Sequence, residues 1–118
     1  MAVRASATFP KAERLRRRAE FVALKRTGAR SHLRSFVVIR QASPSGNARL
    51  GITVGRRVGK AIARNRLKRL IREVFRTRMR DTVLAQDVLV IARAGADKLQ
   101  YAQVASELGP VFKTSGSA

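Results

Sequence analysis

Apolar and polar residues follow three rhythms along this chain, and each predicts a different element. From Arg14 to Arg26, Leu15, Ala19, Val22 and Leu24 recur at helical spacing with Phe21 beside them, so a helix is expected, ended by Gly28. Residues 29–33 show no periodicity and read as a polar connection. The run RSFVVIRQ, 34–41, alternates and is β-branched, which predicts a strand. SPSGN, 43–47, holds Pro, Gly and Asn, each suited to a turn. In RLGITVG, 49–55, Leu50, Ile52 and Val54 share one face, and Gly51, Thr53 and Gly55 share the other. The two strands are expected to pair as an antiparallel hairpin.

A helical rhythm returns from about Lys60 to about Arg80. At roughly 100° per residue, Ala63, Leu67, Leu70, Ile71 and Val74 form one stripe. Asn65, Lys68, Arg69, Arg72 and Arg76 fall opposite it. Residues 81–86 form a short connection. DVLVIAR, 87–93, is nearly continuous in apolar character and predicts a central strand covered on both faces. AGAD, 94–97, reads as a loop whose Asp97 caps a last helix. Tyr101, Val104, Ala105 and Leu108 share a face of that helix, and Gly109-Pro110 is expected to kink or end it. The order implies an α+β fold, an α/β sandwich with a small, mostly antiparallel sheet packed against helices. The unit from strand 49–55 through the long helix to strand 87–93 can alternatively form a parallel crossover. Residues 1–12 are expected to be a flexible basic arm, 13–113 a single domain and 114–118 a frayed tail.

Composition narrows the partners. The 118 residues suffice for one modest core, and 45% hydrophobic content excludes a wholly disordered basic tail. A net charge of +19 adds self-repulsion that folding does not need, so it implies an anionic partner: nucleic acid, an anionic membrane surface or an acidic protein. Cysteine is absent, which leaves no disulfide, thiolate metal site or thiol nucleophile. One histidine, His32, cannot make a multi-histidine metal site and reads as a surface side chain. No apolar run is long enough to span a bilayer, and the N-terminus lacks the apolar core of a secretory signal. A reduced, cytoplasmic location is expected.

The charge concentrates in RRVGKAIARNRLKRLIREVFRTRMR, 56–80. Eleven of these residues are Arg or Lys, opposed only by Glu73. A solvated helix face ordinarily mixes signs as i,i+4 pairs, so the imbalance favours phosphate binding over the plain surface reading. Guanidinium groups offer planar paired donors to phosphate oxygens, and neutralised phosphates release counterions. The run lacks the helix-turn-helix, zinc-ligand and zipper patterns of DNA readers. Asn65 can meet a base edge or ribose hydroxyl, or cap locally. Of the six aromatics, Phe21 and Phe36 lie among arginines and can either stack on unpaired bases or fill the core; if strand 34–41 keeps an open face, Phe36 with Val38 or Val37 with Ile39 would line a shallow groove. Phe75 and Phe112 read as core. Gly51, Gly55 and Gly59 do not form a nucleotide-binding loop. No two acidic residues share a local motif for acid–base or metal chemistry, so the chain is poorly equipped to cut a phosphodiester alone.

The segment AIARNRLKRLIREVFR, 61–76, resembles the RNR-containing helix of the protein subunit of bacterial ribonuclease P. Arg64, Asn65, Arg66, Lys68, Arg69 and Arg72 match that motif. RLRRRAEFVALKRTG, RLGITVGRRVGKA and DVLVIARAGA resemble the family's flanking elements, so the likeness runs from about Arg14 to Phe112. It implies an α/β sandwich with a left-handed crossover at the long helix, against the usual right-handed rule. It implies a partner RNA that removes the 5′ leader of precursor tRNA, with Mg2+ at the RNA active site and one protein per RNA. Arg56, Arg57, Lys60, Arg64, Asn65, Arg66, Lys68, Arg69, Arg72 and Arg76 would bind the catalytic RNA. Arg14, Phe21, Lys25, Phe36 and Val38 would line a cleft for the leader. Lys25 and Ile39 stand where some relatives carry aromatics, which shifts the expected contacts toward charge and aliphatic surface. A non-enzymatic ribosomal or rRNA-binding protein shares the size and charge and is the rival reading; it need not keep an apolar strand face open.

Overall fold

A computed structural model of the chain describes residues 18–43, 48–79 and 86–113. Among the described residues three α-helices, α1 (Arg18–Thr27), α2 (Ala61–Val74) and α3 (Tyr101–Lys113), accompany four strands. The strands are β1 (Ala29–His32), β2 (Phe36–Ala42), β3 (Arg49–Thr53) and β4 (Gln86–Ala92). They form one sheet in the order β1-β2-β4-β3. The expected arm 1–12, the tail 114–118 and most of the SPSGN turn lie outside the described residues.

The expected hairpin between β2 and β3 does not form. β4 lies between them, antiparallel to β2 and parallel to β3. Val88, Leu89 and Val90 have no exposed surface, so the most apolar strand takes the place where both faces are covered. The β3–α2–β4 unit is therefore the parallel crossover. Turn residues at 43–47 were compatible with either connection, because they mark a change of direction and not which strand lies alongside.

Residues 29–32, read as a connection, are the edge strand β1, paired from Ala29↔Arg40 to His32↔Val37. Three of its four residues are exposed. Backbone pairing holds it, so no apolar alternation announces it. Between α1 and β1, Gly28 donates its N–H to the Leu24 carbonyl at 2.8 Å. A Cβ there would meet Ile39 Cγ2 at 2.5 Å and the Leu24 oxygen at 2.7 Å, so glycine lets the helix end press onto the sheet.

Two apolar layers result. The larger contains Phe36, Val38, Leu50, Val88 and Val90 from the sheet, with Leu67, Ile71, Val74 and Phe75 and then Val104, Ala105 and Leu108 above it. Leu67, Ile71 and Val74 of the stripe expected on α2 thus reach the core, with Leu70 partly buried at its edge, as do Val104, Ala105 and Leu108 of that expected on α3. The smaller layer, on the opposite face, joins Leu24 of α1 to Ile39 and Leu89, with Phe21, Val37 and Ile91 partly covered around them.

Helix ends depart from expectation in three places. α2 gives way at Phe75–Met79 to a wider π turn, where the Thr77 hydroxyl donates to the carbonyls of Glu73 and Val74. Asp97 does not cap α3. It lies in a 3-10 turn, Ala96–Lys98, while Gln103 Oε1 accepts from the Gln100 N–H at 2.8 Å, as in the reciprocal half of a capping box. Finally, α3 runs through Pro110 to Lys113 instead of ending there. Ser106, four residues earlier, is exposed, so the carbonyl deprived of its N–H can turn to water.

Candidate nucleic-acid interface

The link into α2 is shaped to present charge. Val58 is buried and its N–H bonds to the Gly55 carbonyl at 3.1 Å, closing a turn. That anchor leaves Arg56 and Arg57 exposed on the turn. Lys60 follows in extended conformation at the N-cap, also exposed. Next to it, a Cβ on Gly59 would stand 2.8 Å from Asp97 Oδ2, so glycine admits the 3-10 turn against the start of α2. The first turn of α2 carries no acidic residue and no side-chain cap, so its positive dipole end adds to the local potential.

On α2 itself, burying Leu67, Ile71 and Val74 turns Asn65 and Arg69 outward, with Lys68 and Arg72 half-buried beside them. Exposure of Asn65 within the helix body removes its capping option and leaves its amide free for a ligand. Ile62, 84% exposed, stands among these cations.

The expected set of RNA-binding residues divides. Arg66 turns away from the exposed face. Its guanidinium donates to the carbonyl oxygens of Asp97 and Leu99 at 3.2 and 3.0 Å and to Gln100 Oε1 at 3.3 Å. It clamps the loop before α3 onto α2. Arg76 forks onto Glu73, which raises its pKa further above the ordinary value and offsets its charge. Arg64 is half-buried, with its Nε out of contact with solvent. Arg56, Arg57, Lys60, Asn65 and Arg69 remain outward-facing.

The second site changes more. Phe36 and Val38 have no exposed surface, since both point into the α2–α3 core. They cannot line an open cleft. Their neighbours Val37 and Ile39 face α1, and Val37 pairs in register with Ile91 of β4. Phe21, Val37 and Ile91 are each partly exposed, so they form the accessible apolar surface between α1 and the sheet. On α1, Arg18, Phe21, Val22 and Lys25 line a shallow depression. Phe21 and Lys25, two of the residues expected at a cleft, lie together at this depression, and Arg14 lies outside the described residues. Val37 lies on the alternative face, the one it shares with Ile39, while Ile91 and Arg18 were not among the expected residues. The alternation in RSFVVIRQ separates two faces, but only the covering helices decide which stays open.

One charged cluster lies on the α1 side. Arg49 donates through Nε and Nη2 to both oxygens of Asp87 at 2.9 and 2.8 Å, and through Nη1 to Glu20 of α1 at 2.8 Å. Hydrogen bonding to Asp87 raises the Arg49 pKa well above its ordinary value, against burial that lowers it. Among the described residues no three His, Asp or Glu side chains gather where a metal ion would bind. None of the described helices is long and apolar enough to cross a membrane.

Comparison with known proteins agrees with this architecture. Residues 9–116 match the family model for ribonuclease P. The ribonuclease P protein component of Desulforapulum autotrophicum is 43% identical over 109 residues, 92% of each chain. That of a Geobacter species is 38% identical over 107 residues, 91% of each. Among solved structures, the Staphylococcus aureus RNase P protein superposes with a TM-score of 0.80 at 34% identity, covering 90% of this chain and 97% of that one. The Thermotoga maritima RNase P protein gives 0.76 at 33% identity, covering 86% and 96%.

Proposed function

Because the chain belongs to the ribonuclease P protein family, we propose that its two surfaces divide the work of a ribonucleoprotein endoribonuclease that removes the 5′ leader of precursor tRNA. The exposed cations Arg56, Arg57, Lys60 and Arg69, with Asn65, dock on the catalytic RNA. The groove of Phe21, Val37 and Ile91, edged by Arg18 and Lys25, receives the single-stranded leader. The observation that carries this division is the placement of outward-facing cations on the turn leading into α2 and on α2 itself, while a separate, partly open apolar surface survives beneath α1.

The chemistry of each surface suits its ligand. Docked phosphates lose condensed counterions, which gives affinity with a steep salt dependence. Asn65 has both donors and acceptors to offer a ribose or base edge. In the groove, the Phe21 ring and two aliphatic side chains offer unpaired bases a stacking and apolar surface, and Lys25 meets the backbone. Bond cleavage is assigned to the RNA, with Mg2+ held there. The protein raises substrate affinity and lowers the metal concentration the reaction needs. One protein per RNA, acting in the cytoplasm, completes the reading.

An rRNA-binding protein of equal charge would have no need of the open apolar surface under α1. Reconstitution with the cognate catalytic RNA tests the proposal. Leader removal is expected to accelerate at low Mg2+, and a rate equal to that of RNA alone would sink it.

A further inference from the structure

The three-way contact at Arg49 lies outside both proposed ligand surfaces. Arg49 stands opposite Asp87 in the β3–β4 register, so its fork onto that carboxylate lies along the sheet. The Arg49, Asp87 and Glu20 side chains are 16%, 8% and 27% exposed. A guanidinium held at two nitrogens by one carboxylate is fixed in plane and direction. Its third nitrogen then meets Glu20, in the first turn of α1 and adjacent to Phe21. The other end of α1 is seated by Gly28 against Ile39 and by Thr27 Oγ1 donating to Gln41 Oε1. The helix is thus tied to the sheet near both ends.

We infer that Arg49 and Glu20 are positioning residues for leader binding: the Asp87-anchored guanidinium is a strut that sets how Phe21 stands over Val37 and Ile91. The inference rests on the groove being the leader site. A strut of this kind acts on the leader alone. It touches neither the cationic face of α2 nor the reacting phosphodiester.

The test uses holoenzyme reconstituted with Glu20→Gln, Arg49→Lys or Phe21→Ala protein. Affinity is measured for precursor tRNA, for leaderless tRNA and for the catalytic RNA. Glu20→Gln leaves the Arg49–Asp87 fork intact, so the fold is kept. Affinity for precursor is expected to fall about 1.5- to fivefold, the range of a partly exposed ion pair. Leaderless tRNA, catalytic RNA binding and the cleavage rate at saturating substrate should not change. Charge alone predicts the opposite sign, because losing a carboxylate makes the protein more attractive to RNA. Arg49→Lys keeps the charge but cannot fork, and should resemble Glu20→Gln; full retention of leader affinity in either variant overturns the strut. Phe21→Ala separates the two levels. If it weakens precursor binding and Glu20→Gln does not, only the strut fails. If Phe21→Ala also leaves precursor binding intact, the groove assignment itself fails.

Discussion

Arg66 of α2 and Leu99, the residue that follows the 3-10 turn, are joined by a guanidinium-to-carbonyl hydrogen bond of 3.0 Å. The neighbouring bond to the Asp97 carbonyl makes the side chain a clamp on the approach to α3. Arg66→Ala should therefore cost about 1.5–3 kcal/mol of stability, the range for hydrogen bonds to charged groups. Denaturant unfolding checks this. A loss under 0.5 kcal/mol, roughly that of a neutral surface change, would remove the clamp.

Arg69 carries the opposite expectation. It is exposed and makes no ion pair with the described residues. Arg69→Ala should leave unfolding within about 0.5 kcal/mol of the parent. Binding to the catalytic RNA should weaken, and the slope of log affinity against log salt should fall by about one. Titrations at several salt concentrations decide it, and a parallel line displaced downward would count against a phosphate contact.

Phe36 and Phe21 should separate cleanly. Phe36→Ala opens a cavity in the main core and should cost about 3–5 kcal/mol. Phe21→Ala removes a partly exposed ring and should cost less stability but more leader affinity. Thermal melts beside precursor binding give the two readouts. Equal behaviour of the two variants would mean that the faces of β2 have been exchanged.

Asp87 is buried, so the Arg49 fork neutralises a buried charge. Asp87→Ala leaves a guanidinium without its main partner and should destabilise by about 3 kcal/mol or more. Combining Arg49→Met with Asp87→Leu should recover much of that loss, because apolar side chains of similar volume replace the pair. Failure of the double substitution to regain stability, measured by denaturant midpoint, would point to a packing role for the side chains themselves.

The legible parts of this fold are those where burial is one-sided and long. The stripe Leu67, Ile71, Val74 repeats over several turns, and Val88 to Val90 is apolar without a break, so α2 and the centrality of β4 followed from pattern. β1 was illegible because Ala29 to His32 bury almost nothing. Faces were ambiguous in β2, where Phe36, Val37, Val38 and Ile39 are all apolar and either alternate pair can face the larger core. Arg66 looked like its neighbours because a charge in a sequence does not reveal whether its donors are already engaged across the fold. The proposed leader surface needed α1 placed on the sheet before Val37 and Ile91 could be recognised together.

The place of β4 also bears on synthesis. Residues leave the ribosome in chain order, yet the strand that joins β2 to β3 begins at Gln86. Until it emerges, β3 has no partner in the sheet, and the arginine-rich α2 has already been made. A nascent chain of this kind carries its cations in the open before its sheet is closed, beside the ribosome's own RNA. A fragment ending before Gln86 lacks the strand that joins β2 to β3 in this sheet, so the strand farthest along the chain sets when the protein can first bind as this folded unit.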